Sequence, residues 1–213
     1  MRESTADDRL NRWAFFRQWL KNPLGVAAVS PSSPQLARQM IHALPPKSTR
    51  LIELGGGTGA ITEQLLAYGI APTDLMVLEL NEAMHQTLKQ RFPDVRLHLA
   101  NAADVQRVAR DSGFLEAGPA DAVVSGLGLL SMPRALQREI VAEAFGCLRP
   151  DGRFVQFTYG PASPVARDVL DELGLGARRV SFTWWNVPPA TVYVYERLRS
   201  TVVQAQPMGR RAG

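Results

Sequence analysis

The residues best suited to chemistry form a glycine run that directly follows a short apolar stretch carrying one acid. The stretch reads Leu51-Ile52-Glu53-Leu54-Gly55-Gly56-Gly57-Thr58-Gly59. Glycines let a backbone turn tightly and pass close to a ligand, because no Cβ stands in the way. The third spaced glycine comes too early for the G-x-G-x-x-G of a dinucleotide site, and Glu53 suits a cationic amino group better than a pyrophosphate. The spacing therefore predicts a site for an amine-bearing ligand, with a simple tight turn as the alternative.

A second acid stands where a ribose diol would be bound. The apolar stretch Met76-Val77-Leu78 ends in Glu79, about twenty residues after the glycine run, which is the spacing at which an acid meets ribose hydroxyls in nucleotide-binding folds. The alternative interpretation of Glu79 is a solvated strand end. The acid at this distance supports the interpretation of the glycine run as a binding site.

Strand-like and helix-like patterns alternate from Arg50 onward, which is typical of a parallel sheet with helices on both faces. A helix is predicted over 61–67, directly after the glycine run, and an earlier one opens at Ser32-Ser33-Pro34 and ends near Leu44. The last two strands surround 186–190 and predict an antiparallel hairpin with a long turn. The predicted strands are 50–54, 75–80, 95–100, 120–125, 153–159, 178–184 and 191–198.

Length and composition restrict the remaining interpretations. A chain of 213 residues is long enough for one domain with a full core and short for two. The formal charge of +4 and the pI near 9.6 favour anionic partners, which leaves nucleic acid and acidic lipid open. Three scattered histidines show no metal spacing, and Cys147 is interpreted as a buried apolar residue. The first residues contain no apolar signal segment, so we expect a cytoplasmic protein, soluble or peripheral to a membrane.

The segment 9–21 reads RLNRWAFFRQWLK and predicts an amphipathic helix. Its apolar residues cover more than half of a helix circumference, with arginines interleaved. Aromatic rings beside guanidinium groups suit the boundary between lipid headgroups and acyl chains. We predict that this helix lies on an anionic membrane surface; a helix docked on the domain is the alternative. The residues assigned to the membrane contact are Trp13, Phe16, Trp19, Arg12 and Arg17.

The motifs between about Arg50 and Tyr159 together resemble the class I S-adenosylmethionine (SAM)-dependent methyltransferases. The resemblance implies a single Rossmann-like α/β domain with a mostly parallel seven-stranded sheet, SAM as cofactor, S-adenosylhomocysteine as product and no metal. Asn101 stands where many relatives use an aspartate to contact the adenine amino group, and Asp104 is the alternative for that contact. The implied cofactor-binding residues are Glu53, Gly55, Gly56, Gly57, Thr58, Gly59, Glu79, Leu80, Asn101 and Ala102.

The end of the fourth predicted strand, Ser125-Gly126-Leu127, is where that family presents the reactive methyl group. Enzymes that methylate adenine amino groups carry an Asn/Asp-Pro-Pro-aromatic type of motif there, and its absence disfavours a nucleic-acid base as acceptor. Methylation of an amine produces a cation that aromatic faces stabilise. We therefore predict Ser125, Gly126 and Tyr159 as residues of the catalytic site, with simple packing as the alternative for Tyr159.

From about Phe15 to Tyr195 the chain is most similar to bacterial phospholipid N-methyltransferases of the rRNA-adenine-dimethylase-like type. The resemblance is carried by the stretches 15–20, 28–33, 124–127, 155–159 and 185–190 and by the glycine motif. The family methylates phosphatidylethanolamine through the mono- and dimethyl lipids to phosphatidylcholine. Trp184, Trp185 and Asn186 are assigned to the substrate or membrane contact, and a structural cap on the hairpin is the alternative for the two tryptophans. A basic residue often precedes that asparagine in the family, so Arg153, Arg178 and Arg179 stay open as replacement phosphate anchors.

These patterns predict three regions: N-terminal helices over 1–48, a methyltransferase core over 49–200 and a flexible tail over 201–213. We expect a phospholipid substrate, action on the inner face of the cell membrane, and no nucleic-acid partner. RNA adenine N6-methylation, methylation of a small soluble amine, and SAM binding without catalysis are the alternatives.

Overall fold

Apolar strands and amphipathic helices alternate in the computed structural model of the chain, which describes residues 34–159, 162–183 and 190–198. The helices are α1 (Pro34–His42), α2 (Ala60–Tyr68), α3 (Glu82–Arg91), α4 (Val105–Asp111), α5 (Arg134–Cys147) and α6 (Arg167–Glu172). The strands are β1 (Leu51–Leu54), β2 (Leu75–Glu79), β3 (Arg96–Leu99), β4 (Ala120–Ser125), β5 (Leu148–Tyr159), β6 (Leu175–Thr183) and β7 (Ala190–Arg197).

The strands of the described residues form one seven-stranded sheet in the order β3-β2-β1-β4-β5-β7-β6. Strands β1 to β5 run parallel to one another, and β7 is antiparallel to both β5 and β6. The chain moves outward from β1 to β3 and then returns to β4 on the other side of β1. Open α/β sheets bind ligands at such a reversal of strand order, at the carboxyl ends of the strands.

Helices cover both faces of the sheet, which explains why the parallel strands are continuous apolar runs. Helices α4, α5 and α6 pack on one face, in a cluster that contains Ile140 and Phe154. Helices α1 and α2 pack on the other face, in a cluster that contains Met40 and Leu65. Because α1 buries Met40 together with residues of β1, β4, β5 and β7, this helix is an integral part of the core.

The predicted α/β fold with a closing antiparallel hairpin is confirmed. The bounds of β4 agree; β1 and β2 differ from prediction by one residue at one end, and β3 differs by one residue at each end. The start of β6 was predicted wrongly, at 178, whereas the strand begins at Leu175. Leu175 is buried in the α5–α6 face and pairs with Arg197. These contacts join residues that are distant in sequence, so the local pattern around Leu175, which contains glycines, did not indicate a strand. Strand β5 begins at Leu148, five residues before its predicted start, and its register with β4 shifts between Leu148 and Arg153.

Other expectations concern single residues and segments. Cys147 is buried, and desolvation raises the pKa of its thiol to about 12, so its interpretation as a buried apolar residue is confirmed. In the described ranges, no helix combines the length and apolar character needed to cross a membrane. The same ranges hold no group of three or more metal-ligating side chains. Segment 9–21, the turn over 184–189 and the tail over 201–213 lie outside the described residues.

Candidate active site

The glycine run connects β1 to α2 at the reversal of strand order. Two of its amides donate to the Leu78 carbonyl in β2, Gly55 N at 2.8 Å and Gly56 N at 3.3 Å. On the other side, Gly126 N after β4 donates to Leu54 O at 2.8 Å. Main-chain hydrogen bonds therefore hold the loop between the carboxyl ends of β2 and β4.

Two glycines of the run allow close packing with α3. A Cβ on Gly56 would lie 2.7 Å from Val77 Cγ1 and 2.8 Å from Leu88 Cδ1. A Cβ on Gly59 would lie 2.6 Å from Phe92 Cε2. Both glycines are buried, so the space above them is filled by protein. In this structure they bring the loop and α3 together, a role that the sequence pattern alone did not reveal.

Gly57 instead borders open space. A Cβ at this position would meet no atom nearer than Gly55 O at 4.0 Å, and the φ of +52° lies in the left-handed region that glycine adopts without strain. Thr58 beside it is exposed. The accessible part of the loop is therefore Gly57-Thr58, where a ligand can approach the backbone directly.

Glu79 ends β2 and supports the same loop. Its Oε2 accepts a hydrogen bond from Gly57 N at 2.8 Å, and its Oε1 accepts one from Asn81 N at 2.7 Å. The side chain is nearly buried, and each carboxylate oxygen retains lone-pair capacity for a further donor. The carboxylate thus stands next to the open side of the loop, where it can accept hydrogen bonds from a diol.

Glu53 is fully buried at the end of β1. Thr62 Oγ1, in α2, donates to its Oε2 at 2.7 Å, whereas Oε1 is buried without a hydrogen-bond partner among the described residues. Desolvation raises the pKa of Glu53 to about 8; the bond from Thr62 opposes the increase and the Glu79 carboxylate adds to it. A buried polar atom without a partner costs free energy, so a bound cation would complete this arrangement. Sequence reasoning did not predict Thr62 as a residue of this site.

The residues predicted around adenine follow β2 and β3 at the same edge. Leu80 is half-buried and Ala102 is buried. Asn101 Oδ1 accepts a hydrogen bond at 3.1 Å from the amide two residues on, and so caps a short 3-10 turn. Asp104 lies at the far end of that turn, 3.6 Å from Arg107. Of the two candidates for the adenine amino group, Asn101 is the one directly at the strand end.

The segment after β4 packs against the glycine run. Ser125 is fully buried, and its Oγ accepts a hydrogen bond from Leu127 N at 3.3 Å. A Cβ on Gly126 would lie 2.8 Å from Gly55 O, and one on Gly55 would lie 2.8 Å from Leu127 Cδ2. Ser125 and Gly126, predicted as catalytic, thus lie at the predicted edge, where both shape the contact between the two loops.

Gln156, which sequence reasoning missed, holds this segment from β5. It is fully buried and lies next to Ser125 in the register of β4 and β5. Its Nε2 donates to Leu127 O at 2.7 Å and to Phe157 O at 2.8 Å, whereas its Oε1 has no partner among the described residues. A glutamine inside the apolar stretch Phe154–Phe157 was the available signal.

A second buried glutamine, Gln137 of α5, holds the continuation of the same segment. Its Nε2 donates to Leu129 O at 2.9 Å and to Met132 O at 3.1 Å. Its Oε1 accepts a hydrogen bond from Ala166 N at 3.0 Å, which ties in the stretch between β5 and α6. Two carboxamides therefore fix the loop after β4, and nothing in their sequence spacing indicates that they act on one loop.

Tyr159 ends β5 at the same edge of the sheet. Its ring meets that of Phe157 edge-on, with centroids 5.5 Å apart, and both side chains pack partly buried on the α1–α2 face. Tyr159 and Gln156 lie on opposite faces of β5, because side chains alternate along a strand. The structure thus brings Tyr159 to the edge predicted for the acceptor, with a packing contact of its own.

The three arginines considered as phosphate anchors do not lie at this edge. Arg153 lies within β5, six residues before Tyr159; its Nε donates to Glu196 Oε1 at 2.6 Å and its Nη1 to Ala43 O at 3.1 Å, so its guanidinium is paired away from the predicted edge. Arg178 and Arg179 precede the end of β6 by four or five residues, which is roughly 13–17 Å along a strand. Trp184, Trp185 and Asn186, like Trp13, Phe16, Trp19, Arg12 and Arg17, lie outside the described residues.

Known proteins resemble this chain in both sequence and fold. The methyltransferase-domain family matches residues 51–152. An ornithine lipid N-methyltransferase from Singulisphaera acidiphila is 30% identical over 186 residues, which cover 84% of this chain and 92% of the relative. The chain belongs to the SAM-dependent methyltransferases. This methyltransferase therefore uses SAM as its cofactor, as its sequence predicted.

Solved structures of methyltransferases share the fold. A TehB-like SAM-dependent methyltransferase from Corynebacterium glutamicum aligns with a TM-score of 0.55 at 18% identity, over 89% of this chain and 100% of its own. The glycopeptide N-methyltransferase MtfA, complexed with SAM, aligns with a TM-score of 0.58 at 15% identity, over 80% of this chain and 96% of its own. Likeness at this identity confirms the class I methyltransferase fold and nothing finer.

The residues at the reversal of strand order fit SAM. Glu53 Oε1 is the unsatisfied acceptor that the amino group of the methionine moiety would fill, and Glu79 would hold the ribose hydroxyls. Gly57 leaves free the space that a side chain would occupy. When bound, SAM supplies an electrophilic methyl group on its sulfonium. The residues of the chain position the reactants. Main-chain hydrogen bonds fix the glycine run, and Gln156 and Gln137 fix the segment after β4 beside it.

Replacing Gln156 by leucine should lower kcat about tenfold, because the segment after β4 loses its support and misplacement of reacting groups slows catalysis. The Kd for SAM should stay within about threefold of wild type, because Glu53 and Glu79 are unchanged. Initial rates against acceptor concentration and calorimetric SAM titrations measure the two effects. Gln106→Leu is the matched control: Gln106 also donates to a main-chain carbonyl, Gly146 O at 2.9 Å, near the distant end of α5. A kcat equal to that of the control would contradict the role assigned to Gln156.

Proposed function

We propose that this methyltransferase transfers methyl groups from SAM to the amino group of phosphatidylethanolamine, through the mono- and dimethyl lipids to phosphatidylcholine. The observation that carries the proposal is the similarity to a lipid N-methyltransferase, which extends over 92% of that relative. This alignment spans 186 residues, well beyond the 51–152 matched by the general methyltransferase domain. The similarity thus includes the parts of the chain that lie outside the shared cofactor-binding half.

The acceptor side of the site supports an aliphatic amine over a nucleic-acid base. Gly126 has no side chain to accept an N–H of a base, and Ser125 is buried with its hydroxyl on Leu127 N. The aromatic pair Phe157 and Tyr159 ends β5 at the same edge. Ring faces stabilise the ammonium and methylammonium groups that arise as an amine is methylated. On this proposal the protein is peripheral on the inner face of the cell membrane and reaches an anionic surface through segment 9–21.

Ornithine lipid is a second candidate acceptor, favoured specifically by the name of the Singulisphaera relative. It belongs to the same chemical class as the first candidate, because each is a membrane lipid that carries an amino group. The two candidates place the same demand on the cofactor half of the site and differ only in the headgroup presented to the edge near Tyr159.

Methyl-labelled SAM and vesicles test the proposal directly. The full chain is incubated with vesicles of phosphatidylethanolamine and phosphatidylglycerol, or of ornithine lipid and phosphatidylglycerol, and the extracted lipids are separated by thin-layer chromatography. We expect label in the mono-, dimethyl- or trimethyl-phosphatidylethanolamine spots, and none with a Glu79→Ala variant that lacks the ribose-binding carboxylate. Label confined to ornithine lipid would select the second candidate, and label in neither lipid would refute a lipid acceptor.

A further inference from the structure

Large apolar side chains are exposed at two opposite edges of the sheet. In the described residues, four of them lie at the carboxyl edge of the parallel strands, where the active site is, and two lie at the opposite edge. The first group is Met84, Leu99, Leu130 and Phe182, and the second is Tyr68 and Leu198. Exposed apolar side chains gathered around a cleft indicate an interaction surface more than scattered ones do.

The four side chains at the carboxyl edge divide between the two halves of the site. Leu99 pairs with Glu79 in the register of β2 and β3, and Met84 lies in the first turn of α3, so both flank the cofactor half. Leu130 follows β4 and is 55% exposed, and Phe182 near the end of β6 is 36% exposed. The strands β4 and β6 are separated by β5 and β7, which is about 14 Å along the edge. Leu130 and Phe182 therefore bracket the acceptor half.

The described residues that border segments 1–33 and 184–189 lie at this same half. The residues 184–189 connect Thr183 to Ala190, which pair with each other at the carboxyl edge next to Tyr159. Helix α1 ends toward the opposite edge, where Arg153, which pairs with Ala122 near the start of β4, donates to Ala43 O, so the first turn of α1 lies toward the carboxyl edge. These two segments contain all four tryptophans of the chain, Trp13, Trp19, Trp184 and Trp185.

We propose that the acceptor half of the carboxyl edge, with Leu130 and Phe182 as its exposed apolar contacts, is the surface that seats on a phospholipid layer. The proposal rests on the proposed lipid function and adds the orientation: the mouth of the site faces the lipid, and the edge with Tyr68 and Leu198 faces away. Tryptophan suits the boundary between water and acyl chains, because its ring is apolar and its N–H is polar. Within the described residues, Leu130 and Phe182 supply the exposed apolar side chains at this edge.

Two double variants of the full chain test the orientation. Leu130→Gln with Phe182→Gln alters the acceptor edge, and Tyr68→Gln with Leu198→Gln alters the opposite edge. The control side chains are 54% and 61% exposed, against 55% and 36% for the first pair, so the control removes at least as accessible an apolar surface. Binding to vesicles of phosphatidylethanolamine and phosphatidylglycerol is measured by sedimentation. We expect about tenfold weaker binding for the first pair and less than a twofold change for the second, in line with the apolar area removed. SAM affinity, expected to be unchanged in both, shows that each variant is folded.

The outcomes separate this orientation from the proposed function. Equal losses in both pairs, or no loss in either, would overturn the orientation even if the wild-type protein methylates lipid. Vesicle binding that depends on Leu130 and Phe182 supports the orientation even if no lipid becomes labelled. The absence of labelled lipid would instead refute the lipid acceptor. If the first double variant fails to fold, Leu130→Gln alone is compared with Leu198→Gln, since both side chains are more than half exposed.

Discussion

Replacing Glu79 by alanine should weaken SAM binding by about 100-fold or more. The carboxylate accepts hydrogen bonds from Gly57 N and Asn81 N, and each of its oxygens retains lone-pair capacity for a further donor. Removal therefore takes away the acceptor for the ribose hydroxyls and a bond that orients the loop. Hydrogen bonds to a charged group contribute about 1.5–3 kcal/mol each, so two lost bonds correspond to at least two orders of magnitude in Kd.

Titration calorimetry with SAM measures this effect, and two further variants bracket it. Glu82→Ala removes an exposed acid three residues later, in the first turn of α3, and should leave the Kd unchanged. Glu79→Gln retains one acceptor oxygen and should give an intermediate Kd. If Glu79→Ala bound SAM within threefold of wild type, Glu79 would not be the ribose contact, and the assignment of the β2 end as the ribose site would have to be abandoned.

The parts of this fold that were predictable from sequence are those determined by local pattern. Strands such as β1 and β2 are short apolar runs because helices cover both faces of a parallel sheet. Turn residues in the sequence mark where each strand ends. The glycine run was recognisable because a backbone that approaches a ligand requires glycine in fixed positions relative to the strand and the acid. Glu53 and Glu79 followed from the same positional logic.

What could not be predicted depends on contacts between distant parts of the chain. The pattern treats Gly56 and Gly57 alike, but Gly56 packs on Leu88 and only Gly57 borders open space. Arg153 looked available as a phosphate anchor because its partners, Glu196 and the end of α1, are far away in sequence. Gln156 and Gln137 act on one loop from two elements, a relation that exists only after the sheet has formed. Sequence therefore predicted that the glycine run and the two acids meet at one edge of the sheet, but it did not predict their supporting contacts.

The affinity of the protein for SAM should pass through a maximum near pH 8 and be about 25-fold weaker at pH 6, because Glu53 must lose a proton to receive the ligand's ammonium group. Burial raises the pKa of Glu53 to about 8 in the unliganded protein, so its ionised fraction grows about tenfold per pH unit below that value. Above pH 8 the amino group of SAM loses its own proton, since α-amino groups have pKa values of about 7.7–8.0. Calorimetric titrations from pH 6 to 9 measure both limbs.

Glu53→Gln isolates the cause, because the amide has no ionisation in this range. Its affinity for SAM should be lower at pH 8 and flat between pH 6 and 7.5, where the wild type still gains affinity.

The Glu53 carboxyl also predicts how the stability of the unliganded protein changes with pH. A buried acid with a raised pKa binds more protons folded than unfolded between its ordinary pKa of 4.5 and about 8, so the unliganded wild type should lose up to about 1.4 kcal/mol of stability per pH unit across that window. Glu53→Gln should lack this slope. Identical pH profiles of stability and SAM affinity in the two proteins would mean that Glu53 is ionised, and already paired, before the cofactor arrives.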